Sequence, residues 1–222
     1  MRGKFITFEG GEGAGKSTQI RALLDFLKNS GISAIVTREP GGSKGAEVLR
    51  EVLLSGAAQK YGPAVEAMLF AAARQDHVDS LIAPALAEGK WVLCDRFADS
   101  SRVYQGEAGV SKGLIDNLQD LAVNGHIPDL TLLIDVPPEI GLARVGSRSV
   151  FNGDEGPDRF EKDTLETHRK RRELFLEMAK NEPWRFKVID GSQDQSGVTE
   201  QIFAAVREQF PEFEFSKQQE LS

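Results

Sequence analysis

Gly10-Gly11-Glu12-Gly13-Ala14-Gly15-Lys16-Ser17 has the spacing Gly-x-x-x-x-Gly-Lys-Ser/Thr, and Thr18 follows it. Glycines in such a run let the backbone wrap a polyphosphate with its N–H groups turned inward. Lys16 can reach the β- and γ-phosphates, and the Ser17 hydroxyl can ligate Mg²⁺. This is the chemistry of a nucleoside triphosphate site. It does not name a reaction, because switch GTPases, motor ATPases and small-molecule kinases share it. A guanine-reading Asn/Thr-Lys-x-Asp segment does not occur in the chain.

A second group of residues carries positive charge. Arg38 follows one apolar run and Asp95-Arg96 closes another. A planar guanidinium donates two parallel hydrogen bonds to a phosphate. Asp95, after Trp91-Val92-Leu93-Cys94, is placed to hold Mg²⁺ or its waters opposite Ser17. Gly146–Pro157 is rich in Gly, Ser, Asn and Asp and reads as a mobile loop flanked by Arg144, Arg148 and Arg159. Over a phosphate site such a loop acts as a lid that excludes water and delivers an arginine. The run Arg169-Lys170-Arg171-Arg172 reads instead as a solvated helix face with Glu166 and Glu173 as local partners.

The elements that must position these residues alternate along the whole chain. Phe5–Phe8, Ser33–Thr37, Trp91–Cys94, Leu130–Val136 and Phe186–Ile189 read as five strands. Helical patterns lie between them. One spans Ile20–Leu27, and a long one runs from Pro63 towards Glu88, kinked or divided at Pro84. Others cover Glu139–Val145, Arg159–Lys180 and Val198–Phe210. Such alternation predicts an α/β fold of the P-loop NTPase type: three layers, α/β/α, around a five-stranded parallel sheet with a mobile lid. Residues 1–222 read as a single domain, with the lid at about 146–158 and a frayed or loosely docked tail at 211–222.

Composition narrows the partners. The 222 residues carry a net charge of −7, which argues against nucleic-acid polymers. Cys94 is the single cysteine, so no internal disulfide forms, and a reducing, cytoplasmic location is expected. No apolar run approaches the roughly 18 residues of a membrane helix. The start, Met1-Arg2-Gly3-Lys4, runs into a strand-like segment and is read as lacking a signal peptide.

In order along the chain, these residues resemble the bacterial thymidylate kinases. The similar segments are Phe8–Thr18, Thr37-Arg38-Glu39-Pro40-Gly41-Gly42, Leu69-Phe70-Ala71-Ala72-Ala73-Arg74, Asp95-Arg96-Phe97 with Ser100, Ser101, Tyr104 and Gln105, and Asp158-Arg159-Phe160-Glu161. Taken alone, Phe70 and Tyr104 read as core aromatics. The resemblance implies otherwise: ATP and Mg²⁺ phosphorylate dTMP to dTDP, in dTTP synthesis, in a homodimer. It implies that Phe70 stacks on thymine and Arg74 donates to a thymine carbonyl, with Ser101 and Gln105 near the base edge. Tyr104 would crowd a 2′-hydroxyl, Glu12 would face the 3′-hydroxyl, and Arg38 and Arg96 would serve the acceptor side. Some members carry an arginine inside the P-loop, where this chain has Gly13. The resemblance is therefore to the type whose lid supplies it, with Arg148 chosen and Arg144 or Arg159 as alternatives. A kinase for another nucleoside monophosphate or a deoxynucleoside, and a P-loop ATP switch, are the competing readings.

Overall fold

The computed structural model describes residues 2–152, 160 and 163–215. Five strands, β1 (Phe5–Glu9), β2 (Ala34–Arg38), β3 (Trp91–Asp95), β4 (Leu130–Asp135) and β5 (Phe186–Asp190), form one parallel sheet in the order β2-β3-β1-β4-β5. β1, β3 and β4 are apolar almost throughout because helices cover both faces of the sheet. The helices are α1 (Lys16–Asn29), α2 (Lys44–Leu54), α3 (Pro63–His77), α4 (Ala83–Ala87), α5 (Ala98–Glu107), α6 (Lys112–Val123), α7 (Pro138–Asn152), α8 (Leu165–Asn181) and α9 (Gln195–Gln209).

Alternate strand residues feed two cores, as the period of two requires. Ile6, Phe8, Leu93, Leu132 and Ile134 meet Leu23 and Leu27 of α1 and Ile202 and Val206 of α9. Phe5, Val92 and Cys94 face the other way, onto Ile82, Leu86 and Phe97. Burial pushes the Cys94 thiol up, so it stays a neutral, small apolar filler.

The elements depart from the sequence expectation in two places. The long helix is divided not at Pro84 but ahead of it, by a π-helical turn at Val78–Ile82. Proline has no N–H to bond the preceding turn and its ring crowds the carbonyl four residues back, which a wider turn relieves. The expected loop from Gly146 is helical through Asn152, as a continuation of α7. The rest of the expected lid, 153–158, lies outside the described residues. The tail from 211, expected to be frayed or loosely docked, is docked through 215. There Phe213 and Phe215 stand edge-on to Trp91, with ring centroids 5.0 and 6.2 Å away, and Lys4 pairs with Glu212 at 2.8 Å.

Candidate active site

The sheet register brings the charged strand ends together. Phe8 of β1 and Arg38 of β2 both stand level with Asp95 of β3. In an open parallel sheet, ligands bind beyond these carboxyl ends, where the strand order reverses. Gly10, Gly13 and Gly15 take φ values of 137°, 66° and 93°, which side chains disfavour, and so fold the loop between β1 and α1. Lys16 lies along this loop, donating to the carbonyls of Gly10 and Gly11 at 3.3 and 3.2 Å. Burial and the neighbouring Arg96 lower its pKa. Ser17 Oγ donates to Asp95 Oδ2 at 3.3 Å. A hydroxyl and a carboxylate side by side suit Mg²⁺, which keeps several waters and takes few protein ligands.

The missing P-loop cation has a structural reason. A Cβ on Gly13 would stand 2.0 Å from the carbonyl oxygen of Gly141 in α7, and a Cβ on Gly141 would stand 2.3 Å from that of Glu12. Backbone packs on backbone here, and no side chain fits at position 13 without moving α7.

Beside the P-loop lies a cavity holding about 760 Å³ of space, its open mouth included. Glu12, Arg38, Phe70, Arg74, Asp95, Arg96, Ser101, Tyr104 and Gln105 all line it. Arg50, Leu54 and Phe160 line it as well and were not anticipated from the sequence. Arg96 takes φ 67°, a left-handed turn that aims its guanidinium back at the P-loop. Its NH1 donates to Gly10 O and Ser100 Oγ at 3.1 and 3.2 Å, and its NH2 to Glu12 Oε1 at 2.6 Å. Its Nε–H and one NH2 proton have no partner among the described residues. Tyr104 Oη donates to the same Glu12 oxygen at 2.8 Å. Burial alone would raise the Glu12 pKa, but Arg96, Lys16 and Tyr104 outweigh it and hold the carboxyl at about 2.

Behind the cavity is a buried polar chain invisible to local sequence reading. Thr37 Oγ1 meets His77 Nε2 at 2.7 Å, and His77 Nδ1 meets Glu39 Oε1 at 3.0 Å. Glu39 Oε2 accepts from Arg74 Nε at 2.7 Å, and Arg74 NH2 stands 2.7 Å from the same oxygen as an ion pair. Arg74 NH1 donates to Ser101 Oγ and to Gln119 Oε1. Gln105 Oε1 is buried at the cavity wall without a partner among the described residues. Glu9, fully buried, accepts from the backbone of Phe97 and Ser100 at 2.8 and 3.3 Å and from Ser100 Oγ at 2.7 Å. It thereby caps α5, whose own N-cap, Phe97, offers no acceptor. Burial, with the charge of Asp99, pushes the Glu9 carboxyl up to about 7.

Of the three arginines expected to serve a lid, one has a described side chain. Arg144 donates both NH groups to Gly191 O, at 3.2 and 3.3 Å. Arg148 falls on α7 with its side chain outside the described residues, and Arg159 lies outside them altogether. The basic run of α8 is a solvated face at Arg169 and Lys170, both exposed, but its ion pairs reach carboxylates of other elements. Arg169 binds Glu139, Arg172 binds both oxygens of Asp135, and Arg171 is 7% exposed, paired with Asp163 at 2.8 Å and Glu107 at 3.4 Å.

A phosphate-wrapping loop beside a cationic cavity, at the carboxyl edge of a five-stranded parallel sheet, defines a P-loop kinase of small phosphorylated acceptors. The thymidylate kinase family profile matches residues 8–202. Thymidylate kinases from two strains of Rhodopseudomonas palustris, TIE-1 and ATCC BAA-98 / CGA009, are each 53% identical over 209 residues, covering 93% of this chain and 90% of theirs. The chain belongs to the thymidylate kinase family.

Proposed function

We propose that this chain transfers the γ-phosphoryl group of ATP to dTMP, giving dTDP. The observation that carries the choice of acceptor is the base end of the cavity. Gln105 Oε1, buried and without a partner among the described residues, accepts from the N3–H of thymine, a proton that cytosine lacks. Arg74 keeps one NH2 proton for a base carbonyl after serving Glu39, Ser101 and Gln119. Phe70, four residues earlier on α3, presents its ring on the same helix face.

At the other end, Arg96 offers its free Nε–H and NH2 protons to the acceptor phosphate. Arg38, already paired with Glu47 at 3.1 Å, adds positive charge at the rim. The acceptor's second pKa is about 6, so its phosphate is mostly ionised at neutral pH and needs no general base. Lys16 and the P-loop amides hold the donor phosphates, and Arg96 and a lid arginine hold the two anions together. When bound at Ser17 and Asp95, Mg²⁺ supplies charge neutralisation to the transferring phosphates. Glu12 locks Arg96 and Tyr104 into register with the acceptor sugar.

A homodimer in the cytoplasm belongs to the same reading. Val48 and Val52 of α2 and Val65 and Met68 of α3 are exposed apolar residues on two helices that pack together, a face a second copy would cover. Among the described residues no helix is long and apolar enough to cross a membrane. The test is ADP release from ATP and Mg²⁺ with and without dTMP. The proposal predicts release that depends on dTMP, with one dTDP formed per ADP. A P-loop switch predicts slow hydrolysis indifferent to it.

A further inference from the structure

Tyr104 packs against two guanidinium groups. The Arg96 Cζ lies 5.1 Å from the ring centroid and the Arg171 Cζ 4.5 Å. Each cation carries its own counter-charge, Glu12 for Arg96 and Glu107 with Asp163 for Arg171. Both can therefore stay on one aromatic ring, attracted by its quadrupole. Phe160 and Phe175 close the remaining edges, with centroids 5.3 and 6.4 Å from that of Tyr104. Arg171 does not line the acceptor cavity, whereas Tyr104 does.

We propose that Arg171 is a positioning residue for sugar selectivity: it pins the Tyr104 ring where that ring excludes a 2′-hydroxyl. The inference rests on the reading above that Tyr104 faces the deoxyribose. Four residues in a row, Arg169 to Arg172, are basic, and Arg171 alone among them stacks on the acceptor wall. Tyr104 can shape the pocket only while it is held still. The Glu12 bond fixes its hydroxyl, and the Arg171 guanidinium, its Cζ 4.5 Å from the centroid, fixes the body of the ring. Because Arg171 also pairs with Asp163, just past the lid segment, it anchors the wall to the root of the lid.

The test compares kcat/KM for dTMP with that for its ribose counterpart, 5-methyluridine 5′-monophosphate. It uses the full chain with Arg171→Ala, Arg171→Lys and Tyr104→Ala. An apolar wall rejects an added hydroxyl by about 100-fold, so loosening the wall should forfeit about tenfold of the deoxy-to-ribo ratio. Arg171→Ala is expected to show that loss with the KM for ATP unchanged. Arg171→Lys keeps the charge for Glu107 and Asp163 but not the plane, and is expected to lose a smaller share at unaltered Tm. A merely structural role would lower Tm, or slow both acceptors equally, and leave the ratio intact. The inference is overturned if Tyr104→Ala lowers the ratio while Arg171→Lys and any folded Arg171→Ala protein leave it unchanged. If Tyr104→Ala also leaves it unchanged, the reading of Tyr104 itself fails and the inference falls with it. Should Arg171→Ala not fold, Arg171→Lys decides alone.

Discussion

Glu9 and Glu12 stand three residues apart and are driven in opposite directions. Glu9 is buried against backbone donors with Asp99 nearby, and its carboxyl rises from 4.5 to about 7. Glu12 is surrounded by Arg96, Lys16 and Tyr104, and falls to about 2. The consequences for stability have opposite signs. The proton on Glu9 contributes stability that is fully present below about pH 4.5 and is lost as pH rises to about 7. Glu12 contributes stability present above about pH 4.5 and lost as pH falls towards 2. In Glu9→Gln the first effect disappears. Denaturant unfolding across pH 4.5–7 should show the wild-type stability declining relative to the variant by up to about 3 kcal/mol. A constant difference over that window would contradict the assignment. Arg96 is a different case, because its free donors are the ones proposed to hold the acceptor phosphate. Arg96→Ala should cut kcat by about 10³-fold, while ATP binding, followed by titration calorimetry, stays intact. Near-normal turnover would remove the role given to Arg96. The sequence made Arg96 and Lys16 legible because a strand end and a glycine loop announce them. Glu9, Glu39, His77 and Gln119 were not legible as site residues, since each finds its partner 35 or more positions away.

At the scale of elements, strands were easiest to read, because burial on both faces writes continuous apolar runs such as Leu130–Ile134. α7 was harder. Its second half carries Gly146, Ser147, Ser149 and Asn152, residues that favour loops, yet it continues the helix begun at Pro138. The contact that matters for function lies in its first turns, where Gly141 packs on Gly13. The atoms a new Cβ would meet are backbone, so neither side can yield cheaply. Gly141→Ala is expected to displace the P-loop and raise the KM for ATP, and, because the new Cβ would meet the carbonyl oxygen of Glu12, to weaken dTMP binding as well. A large fall in Tm alongside both losses would show general unfolding instead. The same close packing explains why the P-loop carries glycine where some relatives place arginine. The charge partners of the basic run of α8 were misread for a related reason. Charge partners at i±3 and i±4 are visible in sequence, but Asp135, Glu139 and Glu107 come from other elements.

For the molecule as a whole, the net charge of −7 and the cationic cavity are compatible because the charges are segregated. Lys16, Arg38, Arg74 and Arg96 gather at one sheet edge, while Glu200, Glu208, Glu212 and Glu214 lie on or after the last helix. Residues 211–215 close the opposite side of the sheet, with Phe215 stacked on Phe26 at 5.5 Å. Truncating these partly buried rings should cost stability without touching chemistry. Phe213→Ala is expected to lower the free energy of unfolding by about 1–2 kcal/mol at unchanged kcat. No change in stability would mean that the tail does not dock. Fold class and the P-loop were legible because both are local patterns. The walls of the acceptor cavity, drawn from β2, α2, α3, α5 and residue 160, became a single site only through the tertiary arrangement. The claim on which the rest depends is the identity of the acceptor. Its most direct test is kcat/KM with ATP and Mg²⁺ for dTMP, dUMP, CMP, GMP, AMP and thymidine, measured by ADP release. The structure predicts that dTMP is a good acceptor and that CMP, which lacks the N3–H, is poor. Preference for a purine monophosphate or for thymidine, or ADP release indifferent to every acceptor, would contradict it.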